Sequence, residues 1–223
     1  TRFYADEEQD RLSTLRNLIR RGTLKDVEAA DVLRIRLDTR YFNGLDGTIY
    51  DYVITMKDGK IESEVVSTPE NADSYDTTDS YAATFLTVLD KYLSKTGDSA
   101  YIIDNAEDIK RITNVMFATL QNGLTYAKHN HRVKYLMDNC EVYEGAIAAT
   151  NLFEEIVKDG KTEYIDMRDD CEKLISTVKE SINRKLWNFV GGYYRPGITA
   201  YVRIPTKIFS WNTYYPQATS QLF

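Results

Sequence analysis

Glycine cuts this chain into helix-length pieces. Stops at Gly22, Asn43-Gly44, Lys95-Thr96-Gly97-Asp98, Gly123 and Asp159-Gly160 separate segments whose apolar residues recur at helical spacing. The first runs from Glu8 to about Arg21 and the second from Leu24 to about Phe42. Further helices are predicted over Ser80–Ser94, Asp98 to about Leu120, Asp138 to about Val157 and Glu163 to about Leu186. Strand formers interrupt this series twice. Thr48–Ile54, a turn at Lys57-Asp58-Gly59-Lys60 and Ile61–Val66 read as a β-hairpin. Gly191–Pro196 and Ala200–Ile204 read as two short strands, and Gln217-Ala218-Thr219 as the opening of another helix. The expected class is therefore all-α, built from consecutive helical hairpins with one set of helices inside another and two small β insertions.

The second constraint is an acidic loop, Asp73-Ser74-Tyr75-Asp76-Thr77-Thr78-Asp79-Ser80-Tyr81, which runs directly into an apolar helix. Tyr135-Leu136-Met137-Asp138-Asn139-Cys140-Glu141-Val142-Tyr143-Glu144-Gly145 repeats the design one hairpin later. Tyrosine is the compositional outlier, at 17 residues against 8 Phe and 2 Trp. Its ring stacks and its hydroxyl bonds, a combination suited to sugar surfaces as well as to helix seams. Tyr75, Tyr81, Tyr143, Trp211 and Tyr214 are the stacking candidates, and His131 is a hydrogen-bonding candidate from the loop before Asp138.

Composition narrows the partners. The net charge of -6 gives no basic field for phosphates, so no nucleic-acid partner is expected. Two cysteines, Cys140 and Cys171, fall within predicted helices and read as free thiols. His129 and His131 are the only histidines and have no cysteine grouping near them, so no metal or other cofactor is expected. No apolar run is long enough for a transmembrane segment. The chain opens with Thr1, which fits removal of a leader as well as a simple boundary and slightly favours a secreted or cell-surface location.

These residues together resemble the six-hairpin glycosidases, whose fold is an (α/α)6 toroid. The resemblance rests on an acidic loop opening a helix that ends Tyr92-x-x-x-Thr96-Gly97-Asp98, on Asn122-Gly123-Leu124-Thr125, on Asp138 with Tyr143-x-Gly145, and on Leu186-Trp187-Asn188 before Gly191-Gly192-Tyr193-Tyr194. It covers roughly residues 40–223. The placement of Asp79 and Asp138 is similar to that in unsaturated glucuronyl and rhamnogalacturonyl hydrolases, which carry essential aspartates at the openings of successive inner helices. The resemblance implies one toroid-like domain over residues 1–223 that is incomplete relative to a full barrel, because this chain supplies about half of the helices a toroid needs.

What the resemblance implies chemically is a glycoside hydrolase acting on an oligo- or polysaccharide. Asp79 and Asp138 would be the catalytic pair, with Asp76, Tyr75, Tyr81, Glu141, Tyr143, His131, Trp211 and Tyr214 lining the substrate site. Hydrolysis needs one protonated and one ionised carboxyl, about 6.5–9.5 Å apart for inversion or about 5–5.5 Å for retention. Neighbouring helices lie about 8–10 Å apart, which favours inversion. Crowding by Asp73 and Asp76 is expected to raise the pKa of Asp79. The roles of acid and base stay open. Each aspartate is also a good helix N-cap, so capping alone is the competing reading. A non-catalytic carbohydrate-binding protein on the same scaffold is the alternative function.

Overall fold

A computed structural model describes residues 40–42, 45–57, 60–67, 77–129 and 131–199. The strands β1 (Arg40–Phe42) and β2 (Leu45–Thr48) pair antiparallel, as do β3 (Asp51–Lys57) and β4 (Lys60–Ser67). The helices α1 (Asp79–Thr96), α2 (Ser99–Asp104) and α3 (Ala106–Thr119) follow. A miniature hairpin of β5 (Leu120–Gln121) and β6 (Leu124–Thr125) then leads through β7 (Lys134–Tyr135) to α4 (Leu136–Lys158). Beyond a short 3-10 turn, α5 (Ile165–Ser181) leads through a wide π turn to β8 (Trp187–Asn188), β9 (Tyr193–Tyr194) and β10 (Gly197–Ile198). The described part is largely helical with small strands.

Helix α4 is the centre of the fold. It packs against α1 on one side and α5 on another, and α3 lies against α1. Their common core contains Leu86 and Leu89 of α1, Ile109, Ile112 and Met116 of α3, Leu152, Phe153 and Ile156 of α4, and Leu174 and Val178 of α5. The spacing of these residues puts one apolar stripe on each helix, so burial of the stripes holds the layer together. Small residues set the distance between α1 and α4. A Cβ added to Gly145 would lie 2.6 Å from both Cα and Cβ of Ala83, too close for any carbon.

Each stop has a local cause. Gly97 ends α1 in the left-handed region, φ 69°, and its N–H donates to the Leu93 carbonyl at 2.8 Å. Asp98 then caps α2 by accepting from Tyr101 N at 3.2 Å, and Tyr92 Oη donates to its other oxygen at 2.6 Å. The Tyr-x-x-x-Thr-Gly-Asp sequence is thus a helix-to-helix corner. Asn122 and Gly123, at φ 54° and 78°, form the two-residue turn between β5 and β6. Cys140 and Cys171 are free thiols, half-buried and buried, and burial pushes their pKa values up to about 11 and about 12.

Three predicted elements differ from those observed. Arg40–Phe42 is a strand against β2 rather than the end of a helix, which suits the β-formers Tyr41 and Phe42. The helix expected from Asp98 to Leu120 is broken at Asn105, whose side-chain amide donates to the Tyr101 carbonyl at 2.7 Å and competes with helix continuation. In the tail, Tyr193-Tyr194 pairs with Trp187-Asn188, while Gly197-Ile198 crosses to β7. The helices expected over 8–21 and most of 24–42, the strand at 200–204 and the helix start at 217–219 lie outside the described residues.

The Gly145 contact gives a direct test. Gly145→Ala is expected to lower unfolding free energy by about 1–3 kcal/mol through overpacking against Ala83. Urea titration followed by circular dichroism reads this, and an unchanged midpoint would show that α1 and α4 separate at no cost.

Candidate functional site

The close approach of α1 and α4 brings their N-terminal ends together around a buried polar cluster. Thr77, Thr78, Asp79 and Ser80 come from the start of α1, Thr125 from β6, and Asp138 and Asn139 from the first turns of α4; all seven are buried. Thr78 N donates to the Ala127 carbonyl at 2.6 Å, which ties the start of α1 to the segment preceding α4.

Asn139 organises the far side of the cluster. Its Oδ1 accepts from Thr125 N at 2.8 Å and from Thr125 Oγ1 at 3.2 Å. Its Nδ2 donates to the carbonyls of Thr125 at 3.1 Å and Tyr135 at 2.8 Å. The amide's full bonding capacity is used, so β6 and the entrance to α4 are locked together.

Thr77 organises the near side. Its Oγ1 lies 2.6 Å from Asp79 Oδ1, 3.2 Å from Asp138 Oδ2 and 3.4 Å from the Ala127 carbonyl. One hydroxyl therefore bridges the two aspartates, whose bridged oxygens lie less than about 6 Å apart, closer than the inverting separation of about 6.5–9.5 Å. Asp79 is 0 % exposed and Asp138 3 %. Asp79 Oδ1 also accepts from Ser80 N at 2.9 Å, whereas Oδ2 is buried with no hydrogen-bond partner. Thr125 is near enough to restrain the shift of Asp79, but its hydroxyl is bonded to Asn139.

Burial drives the Asp79 pKa above the ordinary carboxylate value, against the opposing effects of Thr125, Thr77 and the Ser80 N–H. The expected cause was crowding by Asp73 and Asp76, which lie outside the described residues; the dominant cause is desolvation. Neither aspartate caps its helix in the ordinary way. Thr78 and Tyr135 occupy the cap positions of α1 and α4, with no capping bond from either side chain.

The remaining candidates separate into groups. Glu141, one turn beyond Asp138, accepts from Ser80 Oγ and joins the cluster. His131 is exposed and its Nε2 lies 3.0 Å from Tyr135 Oη, with the two rings stacked beside the start of α4. Tyr81 is half-buried on α1. Tyr143 is half-buried and packs against the main helical core, and Glu144 is exposed. Tyr75, Asp76, Trp211 and Tyr214 lie outside the described residues. Among the described residues no group of three potential metal ligands occurs, and no helix is long and apolar enough to cross a membrane. Thr77, Ser80, Thr125 and Asn139 were not singled out by sequence; the adjacency of Thr77-Thr78 to Asp79 and of Asn139 to Asp138 was the available signal.

No protein-family model, curated protein or solved structure matches the chain.

Two outcomes follow from this geometry. Asn139→Ala strands the buried Thr125 N–H and is expected to reduce stability by about 1–3 kcal/mol in urea unfolding. Asp79 should also impose a pH dependence. Its native form keeps a proton that the unfolded chain releases above about pH 4, so its stabilising contribution is whole below that pH and is lost as pH rises through the native titration. Wild type should therefore lose stability relative to Asp79→Asn between acid and neutral pH, and parallel stability curves would refute the assignment.

Proposed function

We propose that the chain is a glycoside hydrolase-like protein acting on an oligo- or polysaccharide through Asp79 and Asp138. The observation that carries this reading is the bridged pair itself: two carboxyls from successive helical hairpins, one of them with a raised pKa, meet at the mouths of their helices. A protonated carboxyl beside an ionised one is what acid–base cleavage of a glycosidic bond requires. Supporting the likeness to six-hairpin glycosidases, α1 and α4 pair side by side, with α3 against the first and α5 against the second. Repetition of that hairpin pair would build an (α/α) toroid.

The burial of both carboxyls also favours a second reading, in which the scaffold binds carbohydrate without cleaving it. Incubation with uronic-acid and neutral oligosaccharides separates the two. Hydrolysis should fall at least 100-fold in both Asp138→Asn and Asp79→Asn, and proton NMR of the first-formed anomer distinguishes inversion from retention. Equal turnover in wild type and both variants would reject the pair. Calorimetric binding without any turnover in wild type would favour the second reading.

A further inference from the structure

We propose that Thr77 is a proton-relay positioning residue that keeps the two aspartates in a single-proton state, with the proton on Asp79 and the charge on Asp138. The argument begins with a count of protons. The Thr77 hydroxyl has one, yet three acceptors surround it: Asp79 Oδ1 at 2.6 Å, Asp138 Oδ2 at 3.2 Å and the Ala127 carbonyl at 3.4 Å. With both aspartates ionised, the one Thr77 proton can go to only one of the two carboxylates it bridges, and Asp79 Oδ2 holds charge with no hydrogen bond formed to it. With both protonated, no anion remains to make use of the bridge.

One proton satisfies the set. Asp79 Oδ1–H donates to Thr77 Oγ1, and Thr77 Oγ1–H donates to Asp138 Oδ2, so every proton between the carboxyls has an acceptor. The Oδ2 of Asp79 is then a neutral carbonyl oxygen, far less costly to leave unpartnered than a carboxylate oxygen. Transfer along this chain is balanced. The Asp79 O–H bond breaks as a new Thr77 O–H forms, the original Thr77 O–H breaks as an Asp138 O–H forms, and the net charge of the set is unchanged.

The surroundings fit this assignment. On α4, Asp138 and Glu141 face the start of α1, the latter through Ser80, while Cys140 and Glu144 belong to the same helix. In the segment before α4, Lys134 is directed to the Gln121 carbonyl, and His131 bonds to Tyr135. Burial and the hydrogen bonds of Thr125, Thr77 and the Ser80 N–H are the largest influences on the titration of Asp79. Thr125, on β6, presents a neutral hydroxyl already given to Asn139. For its effect on turnover this inference rests on the glycosidase reading; proton placement is measurable without it.

The test is carbon-13 NMR of protein labelled at its aspartate carboxyls, titrated from acid to neutral pH. The resonances are assigned by their loss in Asp79→Asn and Asp138→Asn. In wild type at neutral pH, Asp79 should be protonated and Asp138 ionised. Asp138→Asn should lower the proton affinity of Asp79 at least tenfold. In Thr77→Val the two macroscopic midpoints should move toward each other, because only the one-proton state uses the hydroxyl as donor and acceptor at once. Thr77→Ser should retain the wild-type separation. An ionised Asp79 in wild type overturns the inference, as does an Asp79 midpoint unmoved by Asp138→Asn. Unmoved midpoints in folded Thr77→Val would do the same, and Thr77→Ala, which also lacks the hydroxyl, takes its place if Thr77→Val unfolds. If the titrations behave as expected but no oligosaccharide is cleaved, the relay stands and the glycosidase reading falls.

Discussion

The close approach of α1 and α4 is the constraint on which the rest depends. Gly145 leaves just enough room for Ala83, so two helices from successive hairpins meet along small residues rather than large ones. Their apolar stripes then close over Leu86, Leu89, Leu152 and Phe153, and the hydrophobic gain holds their N-terminal ends against each other. Those ends carry polar residues, which the same packing removes from water. The cluster around Thr77 is therefore a product of core packing, and its unusual electrostatics are inherited from it.

Within the cluster, two networks divide the work. Asn139 has every amide group bonded and fixes β6 to the entrance of α4. Thr77 has more acceptors than it can serve, and Asp79 retains an oxygen with no partner. A buried polar set that is fully bonded on one side and deficient on the other contains its own reference frame. The rigid half holds the frustrated half in register, which is how carboxyls can sit in an unfavourable setting without the helices moving apart.

Much of the helical layer was legible in the sequence because glycine stops and apolar periodicity are local signals. Gly97 ends α1 where the pattern ends, and Asp159-Gly160 follows α4 directly. The break at Asn105 was not legible, since Ile102 and Ile109 both lie buried and continue the apolar stripe across it. Nor was the crossing of Gly197-Ile198 to Lys134-Tyr135, a pairing between segments distant in the chain. At the site, Asp79 and Asp138 stood out as acids before helices, but their bridge did not. Threonine carries no functional emphasis by itself, and Thr77 matters only because two elements converge on its hydroxyl.

The two cysteines have a consequence of a different kind. Burial holds Cys140 and Cys171 near pKa values of about 11 and about 12, so at neutral pH hardly any thiolate exists to be oxidised or alkylated. The native thiols are therefore weak nucleophiles in the folded protein. A cysteine introduced at an exposed position would react with a thiol-directed probe faster than either native thiol, so spectroscopic labels could be attached to the native scaffold selectively.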